Sequence, residues 1–190
     1  MAGRKGKNVE QDGLNSQLYE ACAWNNAPDA RRYLEAGADP NVYGNSKNTP
    51  LFVACFHSYH NIVHLLLSHG ADVNMGRPDG WTPLHLCAEE GLWLAAEALL
   101  KAGAEPDVMH PDMGTPLHDT CKHCHTATAK ILLEHGASAT KLTKHGKTAL
   151  HYAISSGKKD VDAREEIIDL FRQYAPELVM EAFCTVTPRM

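Results

Sequence analysis

The sequence has no apolar run long enough to cross a bilayer. Its longest, such as Leu65-Leu66-Leu67, falls far short of the roughly 20 residues a helical span needs. It has no excess of positive charge: 18 Lys and Arg stand against 23 Asp and Glu, for a net charge of −5. The basic stripe of a nucleic-acid binder is therefore missing. No glycine-rich phosphate loop is present, because the glycines stand singly. No Ser-His-Asp set or paired carboxylates can be argued either; Glu89-Glu90 reads as an exposed helix end. Arg4, Lys5 and Lys7 near the start are followed by no apolar stretch, so this segment is not a secretory signal. The expectation for residues 1–13 is a flexible basic tail.

What the sequence does have is period. Thr-Pro-Leu occurs at Thr49, Thr82 and Thr115, and Thr-Ala-Leu at Thr148, each 33 residues after the last. Gly-Ala recurs with the same interval at Gly37, Gly70, Gly103 and Gly136. Two markers locked to one period define a tandem repeat, and such arrays build one elongated core from contacts between neighbouring units.

One unit predicts its own structure. Thr82 is a helix N-cap and Pro83 fits the first helical position, where no N–H is needed. Leu84, Cys87 and Ala88 follow at helical spacing, and Gly91 ends the helix in a left-handed conformation. A second helix runs from about Leu92 to Ala102, with Ala96, Leu99 and Leu100 inward and Gly103 as its stop. Pro111, Asp112 and Gly114 mark a tight turn into the next unit. Helices this short are marginal alone, so stacking must stabilise them.

The pattern resembles the ankyrin repeat. The residues that carry the resemblance are Thr82-Pro83-Leu84-His85-Leu86-Cys87-Ala88, Thr115-Pro116-Leu117-His118 and Thr148-Ala149-Leu150-His151, with the run from Ile62 to Asn74. Five units are expected, starting near Ser16, Thr49, Thr82, Thr115 and Thr148, in an all-α solenoid over residues 14–175. Residues 176–190 are expected to form a C-terminal cap or tail, with a short helix from Pro176 that folds Leu178, Val179 and Phe183 back on unit five. An insertion is expected near Lys158 to Asp162.

The six cysteines do not read as a disulfide framework. Cys22, Cys55 and Cys121 share one small-residue site of the first helix, Cys87 lies one residue earlier, and Cys184 falls outside the repeats. Reduced thiols fit a cytosolic or nuclear compartment. Cys121, His123, Cys124 and His125 carry the atoms for zinc, but phasing assigns them to structural positions and no second ligand pair follows. No metal or cofactor is expected. Three equivalent histidines, His85, His118 and His151, supply no partner of a different kind for proton transfer. The resemblance implies that this imidazole bonds to a neighbouring unit's backbone.

The resemblance also implies a non-catalytic module, monomeric on its own, that binds another protein or peptide through a concave face. Turn tips and first-helix ends would supply the contacts. At those positions stand Trp24, Tyr43, Phe56, His57, Trp81, Glu89, Glu90, Met109, Lys122 and His123. Exposed apolar groups in a row mark an interface, and Trp and Tyr are favoured anchors. Trp93 is expected on the opposite side. Acidic groups in the middle (Asp79, Glu89, Glu90) give way to Lys122, Lys144 and Lys147 in later units, so a partner of matching polarity is expected. A ligase-recruiting adaptor and a kinase inhibitor of ankyrin type are the finer alternatives. Asn74 looks like sites modified by the asparaginyl hydroxylase of ankyrin repeats; a turn-stabilising Asn is the simpler account.

Overall fold

The structure, a computed structural model, describes residues 9–155 and 161–184. Among these are eleven α-helices and no strand. They are α1 (Val9–Ala23), α2 (Ala27–Glu35), α3 (Pro50–Phe56), α4 (His60–Ser68), α5 (Pro83–Glu90), α6 (Trp93–Lys101), α7 (Pro116–His123), α8 (Thr126–Glu134), α9 (Ala149–Ser155), α10 (Val161–Tyr174) and α11 (Pro176–Cys184). Consecutive helices pair, and each pair packs on the next. The first helices α1, α3, α5, α7 and α9 form one row and the second helices α2, α4, α6, α8 and α10 another. None of these helices is long and apolar enough to cross a membrane.

The local chemistry repeats with the sequence. Thr49 Oγ1 accepts from the Phe52 N–H at 3.2 Å, and Thr82 Oγ1 from the His85 N–H at 3.3 Å. Proline follows each cap at the first helical position. Two ladders of positive φ then end the helices. Gly37, Gly70, Gly103 and Gly136 close the second helices at φ 91°, 81°, 92° and 85°. After the first helices stand Asn25 (56°), Ser58 (57°), Gly91 (70°) and Cys124 (59°). Only one of the four is glycine, and it is needed for space: a Cβ on Gly91 would lie 2.7 Å from His125 Nδ1.

The core runs the length of the stack. Leu18, Leu51, Leu84, Leu117 and Leu150 occupy one phased site at 2% exposure or less. Cys22, Cys55, Cys87 and Cys121 are buried among them as free thiols. Burial pushes the Cys22 thiol up to about 12, so it packs as a small hydrophobe.

The ends of the stack differ from expectation at one point. α1 begins at Val9, so the residues from 9 to 13, expected in the tail, are helical. Gln11 explains their order: its Nε2 donates to Asn15 Oδ1 at 3.0 Å and to the Gly37 carbonyl at 2.9 Å. α11 forms from Pro176 as expected and packs on α9 and α10, with Val179 buried. The tail before residue 9, most of the expected insertion and the side chains of Phe183 and Cys184 lie outside the described residues.

Candidate partner-binding groove

Each unit ends in a tight turn that projects beside the first helices. The Arg77 N–H bonds the Trp81 carbonyl at 2.8 Å, and the Gly44 N–H bonds the Asn48 carbonyl at 3.0 Å. Between these turns and the helices α1, α3 and α5 lies an open groove of about 760 Å³. Its apolar wall is Phe52, Val53, Phe56, Trp81, Leu86 and Met113. Glu89, Glu90, Arg77, Asp79, His57 and His110 are its charged and titratable lining.

The groove brings together Phe56, His57, Trp81, Glu89 and Glu90 from the expected contact set. Phe56 is 53% exposed, with its ring edge-on to His57 at 5.0 Å. Trp81, expected to be exposed, is half-buried. Its ring leans on His85 at 5.4 Å and meets His110 edge-on at 5.1 Å. It is one wall of the groove and part of the stack.

The other expected contacts lie elsewhere. Trp24 is 80% exposed and lines a separate shallow hollow with Gln17, Asp29 and Tyr33. Tyr43 is partly exposed, but its hydroxyl donates to the Gly76 carbonyl at 3.0 Å and so ties one turn to the next. Met109 is exposed outside the groove. Lys122 is exposed outside the groove, and His123 stacks on His125 at 6.0 Å. Trp93 and Leu94, 45% and 46% exposed, sit on the second-helix row beside Ser58 and His60. Of the later lysines, Lys144 pairs with Asp112 and Lys147 lies 5.8 Å from the centre of the Tyr152 ring. Of the lysines in the expected polarity change, Lys144 is neutralised by Asp112, whereas Lys122 and Lys147 have no ion pair among the described residues.

The candidates for chemistry have structural partners. His85 Nε2 donates to the Gly114 carbonyl and His118 Nε2 to the Lys147 carbonyl, both at 3.2 Å. His125 Nε2 donates to the Glu89 carbonyl at 2.8 Å. Cys121 is fully buried and its pKa is raised by burial, while Cys124 serves as the left-handed helix stop. Among the described residues no group of three or more His, Cys, Asp or Glu could hold a metal ion. Asn74 Oδ1 accepts from the Glu105 N–H at 2.9 Å, a bond between successive units.

Two features escaped the sequence reading. Asn74 belongs to a ladder: Asn15 accepts from the Asp39 N–H at 2.8 Å, Asn41 from the Asp72 N–H at 2.7 Å and Asp107 from the Ser138 N–H at 2.9 Å. Asp119, on α7, is 1% exposed and neither carboxylate oxygen has a hydrogen-bond partner. Burial, with Glu89 beside it, pushes its pKa up to about 8, against the opposing pull of Lys122. Asp119 stands one period after Leu86, at the position whose counterparts Val53 and Leu86 line the groove; nothing in its residue type alone announces burial.

The family model for ankyrin repeats, in three copies, matches residues 18–110 and 94–170. Comparison with curated proteins gives no match.

Proposed function

The chain belongs to the ankyrin repeat family, and we propose that it acts without catalysis, by holding one partner protein in the groove between the turns and the first helices. The observation that carries this is Phe56: a large aromatic, 53% exposed, facing a cavity rather than a neighbouring unit. Burying such a ring on a partner is favourable by roughly 2 kcal/mol. Adaptor, scaffold and regulator are the roles open to a surface of this kind. A volume of about 760 Å³ suits a few side chains of an extended segment. The rigid stack would present them without reordering, which lowers the entropic cost of binding.

The experiment is proximity labelling in cells with the full chain and two variants. Phe56→Ala removes the groove aromatic; Trp93→Ala removes an exposed aromatic from the second-helix row. A partner lost with the first variant and retained with the second, both keeping the far-ultraviolet spectrum of the parent, supports the groove. A partner lost only with Trp93→Ala moves the site to the other side of the stack.

A further inference from the structure

The charges of the groove do not balance. Arg77 and Asp79 neutralise each other at 3.2 Å. Glu89 and Glu90 have no ion pair among the described residues, although Glu89 is half-buried. The same groove has an apolar wall of Phe52, Phe56 and Leu86, so two unpaired carboxylates and exposed apolar surface line one open space.

A ligand that completes it must bring donors, positive charge and an apolar side chain together. A guanidinium does this better than an ammonium. Its planar fork can serve two carboxylates at once, it loses less hydration, and it stacks on aromatic rings such as Phe56. We propose that the groove takes an extended segment of the partner carrying an arginine beside a large apolar residue, the guanidinium between Glu89 and Glu90 and the apolar side chain against Phe52, Phe56 and Leu86. This rests on the groove reading above and names the chemistry that the groove selects.

The test pans a display library of short random peptides against the immobilised full chain. The enriched peptides are then titrated against parent, Glu89→Gln/Glu90→Gln and Phe56→Ala. Glu90→Gln alone, at an exposed position, serves as the variant that cannot disturb the fold. Enriched peptides should place Arg within a few positions of Leu, Phe or Met. Replacing that Arg by Gln should weaken binding about tenfold or more. The same replacement should have little further effect on the Glu-to-Gln double variant, because the two changes remove one interaction. Peptides without Arg that still lose binding with Phe56→Ala overturn the arginine inference and leave the groove standing. Arg peptides indifferent to the Glu variants also overturn it. Peptides indifferent to Phe56→Ala sink the groove itself, and a library that yields no binder sinks both.

Discussion

His85 joins two units of the stack: its Nδ1 accepts from the Thr82 N–H at 3.4 Å while its Nε2 donates to the Gly114 carbonyl at 3.2 Å. Accepting at Nδ1 from a backbone donor fixes the proton on Nε2, so one neutral tautomer serves both bonds. Gly114 is the glycine this joint requires: at φ +97° a Cβ there would lie 3.0 Å from the ring of His118. His85→Ala is expected to cost about 3 kcal/mol, from the cavity and the orphaned carbonyl. His151, in the same motif but exposed on α9, should cost about 1 kcal/mol or less. Urea midpoints of the two variants measure the difference, and equal losses would refute the joint.

The same burial sets an acid limb. Burial lowers His85 to about 4 from an ordinary 6.5, against the bond to Gly114. A depressed histidine contributes stability above 6.5 that is lost as pH falls through 4. Asp119 acts in the opposite sense: its pKa is raised from 3.8 to about 8, so its contribution is present below 3.8 and lost as pH rises through 8. At about 1.4 kcal/mol per unit, each effect amounts to a few kcal/mol. Asp119→Asn should therefore raise the melting temperature at pH 8, leave it nearly unchanged near pH 4, and steepen the net loss on acidification. Thermal melts across this window check the sign. A variant less stable than the parent at pH 8 would mean that Asp119 has a stabilising partner when ionised.

Much of this was legible because some backbone sites admit few residues. The Gly37, Gly70, Gly103 and Gly136 ladder and the Thr82 and Thr115 caps are such sites, and they gave period, helix pairs and core in advance. The left-handed stops at Asn25 and Ser58 were not legible, since stacking holds there a conformation their residue types do not announce. The groove was half legible. Turn-tip and helix-end positions predict which residues stand clear of the stack, and Phe56, His57, Glu89 and Glu90 line the groove. They do not predict that Trp81 leans back on two histidines, or that Trp24 stands in a hollow of its own. Those outcomes depend on neighbours that are far apart in sequence. Asp119 is the extreme case: a charged residue on a short helix reads as surface, yet α5 and α9 cover α7 from both sides.

The amide ladder separates an acceptor from an amide. At Asn41 and Asn74 a side-chain oxygen takes the N–H of the following unit, at Asp107 a carboxylate performs the same task, and in the first unit Asn15 on α1 takes the equivalent Asp39 N–H. Asn74→Ala is expected to lose about 1 kcal/mol, the net value of a hydrogen bond whose freed Glu105 N–H turns to solvent. Asn74→Asp keeps the acceptor and should lose under about 0.5 kcal/mol. Chemical denaturation of both variants decides; equal losses would show that the Asn74 amide N–H₂ matters as much as its oxygen.

Phe56 and Trp24 are both exposed aromatics at the ends of first helices, and the structure separates them. Phe56 lines the groove beside Glu89, whereas Trp24 lines a hollow with Gln17 and Asp29. Neither ring is needed for packing, so each change to Ala should move stability by less than about 1 kcal/mol. Their effects on partner binding should diverge. Phe56→Ala is expected to weaken a groove-bound partner by about 2 kcal/mol, roughly thirtyfold, mostly through faster dissociation. Trp24→Ala should leave both rate constants unchanged. Surface-plasmon kinetics with the captured partner read this directly. If Trp24→Ala weakens binding as much as Phe56→Ala, the partner spans the whole first-helix row, and the interface extends past the groove.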